Sequence, residues 1–193
     1  MAVKRAKIIE AADLKKIFAV IDKKDLSVRS RDKVSVLFSV KAGLRAAEIA
    51  GLRWVDVTKA NGEIADIMHV GSHIVKGKKR DRQVPIHPDL KAELVKLRAQ
   101  RPQDEFIRFG DYKPLVTPNG MTVWFHRLYK EAGLDGCSSH SGRRTFITAT
   151  ARRANLYDAS LRDVQLMAGH AFLTTTERYI DPSDNVKALV SST

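Results

Sequence analysis

Cysteine is almost absent: Cys137 is the only one in 193 residues. A single thiol excludes an internal disulfide and any zinc site built on cysteines, and it fits a reducing cytoplasm. Long hydrophobic runs are missing as well. No apolar stretch approaches the roughly 20 residues of a membrane span, and the opening MAVKRAKIIEA lacks the apolar centre of a signal peptide. A cytoplasmic protein with no membrane partner is therefore expected. Carboxylates are scarce, with 22 Asp+Glu against 34 Lys+Arg, and they form no cluster suited to a two-metal site.

What the shortage of acid leaves is a net charge of +12 and a pI near 10.0. That surplus predicts attraction to a polyanion. A merely soluble basic protein would carry the same charge, so charge alone leaves the two readings level. At 44% hydrophobic and 29% charged residues, the chain has the make-up of one globular domain, or a little more, with its own core.

Residues 1–7 read as a basic arm. Leu14, Ile17, Phe18 and Ile21 recur at helical spacing. A second helix is expected over 27–42, with Val34, Leu37, Phe38 and Val40 inside and Gly43 at its end; a third follows from Ala46 to Leu52. Short strands at 63–70, 73–75 and 83–86, separated by Gly71 and KGKKRDR, predict a small antiparallel sheet with a flexible basic tip. Pro88 opens a helix marked by Leu90, Leu94 and Leu97. Residues 101–118 read as loop, and Thr117-Pro118 starts a helix whose apolar face runs through Met121, Trp124, Phe125, Leu128, Tyr129 and Ala132. Trp54 and Trp124 read as core. Helices near 140–154, 158–168 (Asp158 as cap) and 172–181 complete the body, and Pro182 stops it. No repeat, low-complexity tract or linker interrupts the chain. The expected fold class is mainly α with a small antiparallel β-sheet (α+β).

Several residues invite a chemical reading beside a structural one. Arg45 lies among apolar residues, where a guanidinium needs an anion or a carboxylate; an Arg45–Glu48 ion pair at i, i+3 would satisfy it. His140 and Arg143 share one face of a helix that Ser138 or Ser139 could cap, a place where unpaired N–H groups attract phosphate. A planar guanidinium such as that of Arg143 can hold two phosphate oxygens. The same spacing also fits an exposed basic helix with Arg144, Arg152 and Arg153. His170, after Gly169, could be a helix C-terminal cap, and Tyr179 could be half-buried core. Each feature is common alone; their order and spacing together are not.

Taken together these residues resemble the tyrosine recombinase (phage integrase) family, whose chemistry type IB topoisomerases share. Its first box is an arginine in G-x-R-x-x-E-(apolar)-x-x-L, present as Gly43-Leu44-Arg45-Ala46-Ala47-Glu48-Ile49-Ala50-Gly51-Leu52. Its second is H-x-x-R, then G-H, then a tyrosine nine residues on: His140, Arg143, Gly169-His170 and Tyr179. A lysine on a hairpin turn ahead of a V-P strand belongs to the pattern; in IVKGKKRDRQVPI, Lys76 matches best, with Lys78 and Lys79 as alternatives. The resemblance spans about residues 8–182. Departures are Ala42 for a frequent threonine, Gly142 and Arg144 within HSGRR, and Ala168 ahead of the Gly-His pair. The family's N-terminal core-binding domain has no counterpart here, which fits either a naturally short recombinase or a piece of a longer one.

The resemblance implies a tyrosine recombinase (DNA breaking-rejoining) catalytic-domain fold over 8–182, with 183–193 as a tail that is exchanged between protomers or frayed. It implies site-specific strand cleavage and rejoining through a 3′-phosphotyrosyl link: Tyr179 as nucleophile, Arg45 and Arg143 on the phosphate, His140 in proton transfer, Lys76 as general acid and His170 as a hydrogen-bond donor. No metal or nucleotide cofactor is implied. The expected partner is double-stranded DNA, bound by a tetramer, with a monomer in solution as an open alternative. Lys41, Lys78, Lys79, Arg80, Arg82, Arg127, Lys130 and Arg144 are candidates for the DNA backbone. Two rival readings fit the same residues: a DNA-binding regulator that keeps the fold without cutting, and a topoisomerase-like nicking-closing enzyme.

Overall fold

Glycine and proline punctuate this chain where its helices begin and end. The computed structural model describes residues 6–71, 74, 81–108 and 116–180. Among these, eight α-helices and two strands follow in the order α1 (Ala11–Ile21), α2 (Leu26–Ala42), α3 (Ala46–Gly51), β1 (Ile67–Val70), β2 (Arg82–Pro85), α4 (Pro88–Gln100), α5 (Pro118–Glu131), α6 (Ser141–Arg153), α7 (Leu161–Ala168) and α8 (Leu173–Glu177). Gly43 closes α2 in the left-handed region at φ 66°. Pro88 and Pro118 stand in the first turns of α4 and α5, where a missing N–H costs nothing. Thr117 caps α5, its Oγ1 accepting the Gly120 N–H at 3.0 Å.

α2 runs through the centre, packed by α4 and α6. Its burial is close to all-round: besides Val34, Val36, Leu37, Phe38 and Val40, it buries Ser30, Arg31, Asp32, Ser35 and Ser39. A helix covered on several sides cannot keep a polar face, so its charged groups and Ser35, which donates to the Arg31 carbonyl at 2.8 Å, pair internally, while among the described residues the Ser39 hydroxyl has no partner. Asp32, 1% exposed, accepts from Arg108 Nη1 at 2.9 Å, Arg31 Nε at 3.0 Å and Lys24 Nζ at 3.1 Å. α4 is mostly polar by contrast, and holds to α2 through Leu90, Leu94 and Leu97, all fully buried. Each such leucine contributes roughly 1.5–3 kcal/mol of transfer free energy.

The main core gathers the first two-thirds of the chain, from Ile9 through Leu134. A second, smaller cluster sits under the C-terminal helices: Ile147, Ala154, Val164 and Ala168, with Phe146 and Tyr179 against it. The sheet has two antiparallel strands, pairing Met68 with Val84 and Val70 with Arg82. The mainly helical architecture with a small antiparallel sheet is the one expected. The first strand is shorter than 63–70, Ile64 making only an isolated bridge to Thr58. The third expected piece, 73–75, lies outside the described residues except for Ile74, which is in a turn.

Two local expectations are corrected. Asp158 does not cap α7: it sits in the left-handed region at φ 55° after a short 3-10 turn (Ala154–Tyr157), and Ser160 is the cap, in a reciprocal box with Asp163. Neither Ser138 nor Ser139 caps α6 with its side chain. His140 is the N-cap residue, and the Ser138 carbonyl accepts the Ser141 N–H at 2.9 Å, so a turn ahead of the helix takes up that first donor.

Candidate active site

A single buried glutamate draws two arginines together where the two halves of the chain meet. Glu48, on the first turn of α3, is 1% exposed. Its Oε1 accepts from Arg45 Nη1 at 2.8 Å and Arg82 Nη1 at 3.0 Å; its Oε2 accepts from the Arg45 N–H at 2.8 Å and Arg82 Nη2 at 2.8 Å. Each carboxylate oxygen thus takes one bond from each arginine. Burial alone would raise this carboxyl, but the Arg82 hydrogen bonds and charge, followed by those of Arg45, overcome it and hold it at about 2.

Arg143 lies alongside, on the first turn of α6 and 2% exposed. Its Nη1 donates to the Gly43 carbonyl and its Nη2 to the Ala168 carbonyl, both at 2.6 Å. One guanidinium therefore ties the end of α2 to the end of α7, satisfying carbonyls that helix ends leave open. Gly43 is required twice: its φ is left-handed, and a Cβ there would collide with the Phe146 ring of α6. Burial, and then the Arg45 charge, pull the Arg143 guanidinium down to about 10; Arg82 adds to this, while Glu48 and the Tyr179 phenol oppose it. Arg45, Arg82, Glu48 and Tyr179 are all within electrostatic reach of Arg143. Three positive charges against one carboxylate leave a surplus of two in a poorly hydrated place, an arrangement that favours an incoming anion.

Tyr179 and His170 face each other at the edge of this cluster, their rings stacked with centroids 5.5 Å apart and planes 22° from parallel. Gly169 ends α7 in the left-handed region and the His170 N–H turns back to the Gln165 carbonyl at 3.1 Å. His170 Nδ1 lies 2.9 Å from Thr176 Oγ1, and Thr176 is fully buried. Thr148 of α6 donates to the Tyr179 carbonyl at 2.9 Å. These contacts fix both rings against the small C-terminal core.

The remaining candidates fall in different places. His140 is exposed at the start of α6, one turn ahead of Arg143. Lys76, Lys78, Lys79 and Arg80 lie outside the described residues, as does the tail. Arg127 and Lys130 are exposed on α5. Lys41 is paired with Asp89 at 3.3 Å, and Arg144 donates to the Ala6 carbonyl at 3.1 Å. Arg82 is a correction. It was expected on the DNA backbone, yet its side chain is 8% exposed and its fork is spent on Glu48, with Nε donating to the Met167 carbonyl at 2.9 Å. Sequence reasoning missed this although a signal was there: Arg82 is two residues from buried Val84, so it shares the inward face of β2. Thr148 and Thr176 carried no such signal.

Among the described residues, no group of three or more His, Cys, Asp or Glu could hold a metal ion. None of their helices is long and apolar enough to cross a membrane. A cavity of about 560 Å³ opens elsewhere, between α1, α2, α6 and α7, and its lining, including Leu14, Phe146 and Val164, is mostly apolar.

The profile of the phage integrase family matches residues 7–185. Tyrosine recombinase XerA of Pyrococcus furiosus is 29% identical over 182 residues, covering 90% of this chain and 56% of its own. Tyrosine recombinase XerC of Myxococcus xanthus is 26% identical over 183 residues, covering 86% and 56%. The chain spans about half the length of the curated relatives it matches. Among solved structures, XerA recombinase superposes with a TM-score of 0.74 at 20% identity, covering 96% of this chain and 64% of that one. XerH site-specific recombinase bound to its difH substrate gives 0.71 at 21%, covering 100% and 55%. At these identities the structures establish the fold: the catalytic-domain architecture of tyrosine recombinases.

Proposed function

The chain belongs to the phage integrase family, and from that premise we propose that it is a tyrosine-type DNA strand transferase, cutting and rejoining strands at specific sites through a 3′-phosphotyrosyl link. The Tyr179 phenol oxygen attacks the scissile phosphorus in line, the P–O5′ bond breaks, and the phosphate stays on the enzyme as a diester of Tyr179. The departing 5′-oxygen takes a proton from Lys76, and the phenol gives up its own to His140. Arg45 and Arg143 face the non-bridging oxygens and stabilise the charge that grows on them in the pentavalent transition state. His170 donates to the same phosphate. A 5′-hydroxyl from a second strand then reverses the step, so that no bond energy is lost.

The observation that carries this reading is the buried surplus of positive charge around Arg143, with Arg45 beside it and the Tyr179 phenol within its field. A phosphodiester neutralises that surplus, and the transition state, with more negative charge, does so more strongly. Arg45, with its side chain 28% exposed, is the member open to solvent, while Arg143 forms the floor. The partner is double-stranded DNA; XerH, a structural neighbour, was seen on its difH site. On DNA we read the active form as a tetramer working in the cytoplasm, with residues 8–182 as the catalytic domain and residues 183–193 passed between neighbours.

The test is a suicide duplex nicked so that the short cleaved fragment diffuses away. The wild-type chain traps a covalent adduct resistant to denaturant, Tyr179→Phe traps none, and both bind the duplex equally. An adduct that persists in Tyr179→Phe, or wild-type binding with no adduct, would refute strand cleavage by this tyrosine. Joined products from two substrates would then distinguish recombination from nicking and closing.

A further inference from the structure

We propose that Arg82 is a positioning residue of this site: it locks the base of the β1–β2 hairpin onto Glu48 and the end of α7, and through Glu48 it sets the Arg45 guanidinium. The proposal rests on the strand-cleavage reading for its kinetic consequences, but its geometry stands on its own. Three N–H donors of Arg82 reach two separate elements: Nη1 and Nη2 meet the Glu48 carboxylate at 3.0 and 2.8 Å, and Nε meets the Met167 carbonyl at 2.9 Å. A planar fork is needed for this, because an ammonium cannot serve both carboxylate oxygens and a carbonyl at a fixed angle.

The consequences run along the chain in three directions. Glu48 holds Arg45 by both its backbone N–H and its Nη1, so the carboxylate that Arg82 orients is the one that orients Arg45. Met167 stands two residues before Gly169-His170, and Gly169 itself lies against the Arg82 side chain: a Cβ there would come within 3.0 Å of Arg82 Cδ and Nη1. Upstream, Arg82 pairs with Val70 in the sheet, so it anchors the strand ends that bracket the segment carrying Lys76. One side chain thus joins the supports of Arg45, of His170 and of the hairpin. A merely soluble surface arginine, or one gripping a DNA phosphate, would not be 8% exposed with its fork turned inward. Glu48 reports on the lock directly, since its low carboxyl titration is held first by the Arg82 bonds against burial.

The test compares wild type, Arg82→Gln and Arg82→Lys on the full chain. One arm follows the Glu48 carboxyl by NMR in the free protein, and the other measures single-turnover adduct formation at saturating nicked duplex. In Arg82→Gln the Glu48 titration moves upward, the adduct rate at saturation falls at least tenfold, and DNA affinity changes less than twofold. Arg82→Lys, which keeps the charge and so protects folding, gives a rate and a titration between the two. The acid limb of the rate profile in Arg82→Gln moves up with the Glu48 titration. The inference is overturned if Arg82→Gln weakens DNA binding and flattens its salt dependence while cutting normally once bound, as a phosphate contact would. It is equally overturned if the variants melt lower yet titrate Glu48 and cut as wild type does. A wild-type chain that forms no adduct would reject the cleavage reading instead, and the Glu48 titration alone then decides for or against the lock.

Discussion

Glu48→Gln removes the one carboxylate from the arginine cluster while leaving its shape nearly intact. The loss can be sized in two ways. The Glu48 carboxyl drops from 4.5 to about 2 on folding, and at 1.36 kcal/mol per unit that is about 3 kcal/mol of stability. Neutralising one partner of a buried pair costs about 3–5 kcal/mol by general experience, which agrees. The sign follows from the direction: a carboxyl whose folded value is depressed stabilises the protein above its unfolded value near 4.5, and that contribution drains as pH falls toward 2. Urea denaturation at pH 7 should therefore separate wild type from Glu48→Gln by about 3–5 kcal/mol, equivalent to roughly 10 °C in Tm for a chain of this size. By pH 3 about 2 kcal/mol of the gap should be gone, because wild type loses what the variant never had. A gap below ~1 kcal/mol at pH 7, or one that stays constant down to pH 3, would refute the claim that Glu48 is ionised between Arg45 and Arg82.

Further outcomes follow from packing and charge. Gly142→Ala puts a Cβ against Ser39 Oγ, 2.8 Å from Ser39 Cβ and 3.0 Å from Val40 Cγ1, so the α2–α6 seam is overpacked and stability falls by about 1–3 kcal/mol in thermal melts; adding Ser39→Gly should return most of it. Arg127→Ala and Lys130→Ala, exposed on α5, should each lower the steepness of the salt dependence of DNA binding by about 0.9 if they contact phosphate. Unchanged slopes would remove that face from the DNA-binding surface.

The helix framework could be read from the chain because its punctuation is local: Gly43, Pro88 and Pro118 act through their own backbone geometry, and the Thr117 hydroxyl caps an N–H three residues on. Arg45, Arg143, His170 and Tyr179 stood out for a different reason, since a chemical task imposes residue types at set intervals. What escaped was pairing at a distance. Glu48 offered an adjacent partner in Arg45, and although its spacing from Val84 put Arg82 on the inward face of β2, nothing in the sequence paired it with Glu48, 34 residues away. Asp32 and Arg108, 76 residues apart, were equally silent, because α2 is covered on several sides and its polar residues lost the usual meaning of a solvent face. The misplaced start of α7 has a smaller cause. Asp158 and Ser160 are both good cap residues, and only the reciprocal partner Asp163 selects Ser160.

Everything turns on whether Arg45, Arg143 and Tyr179 address one phosphate. The direct measurement is a structure of the Tyr179→Phe chain on uncleaved duplex DNA. The expected result is a scissile phosphate with its non-bridging oxygens at hydrogen-bond distance from both guanidiniums and the ring of residue 179 in line with the departing 5′-oxygen. A phosphate held by surface lysines, with Arg45 and Arg143 still bonded only to Glu48 and the two helix-end carbonyls, would contradict it.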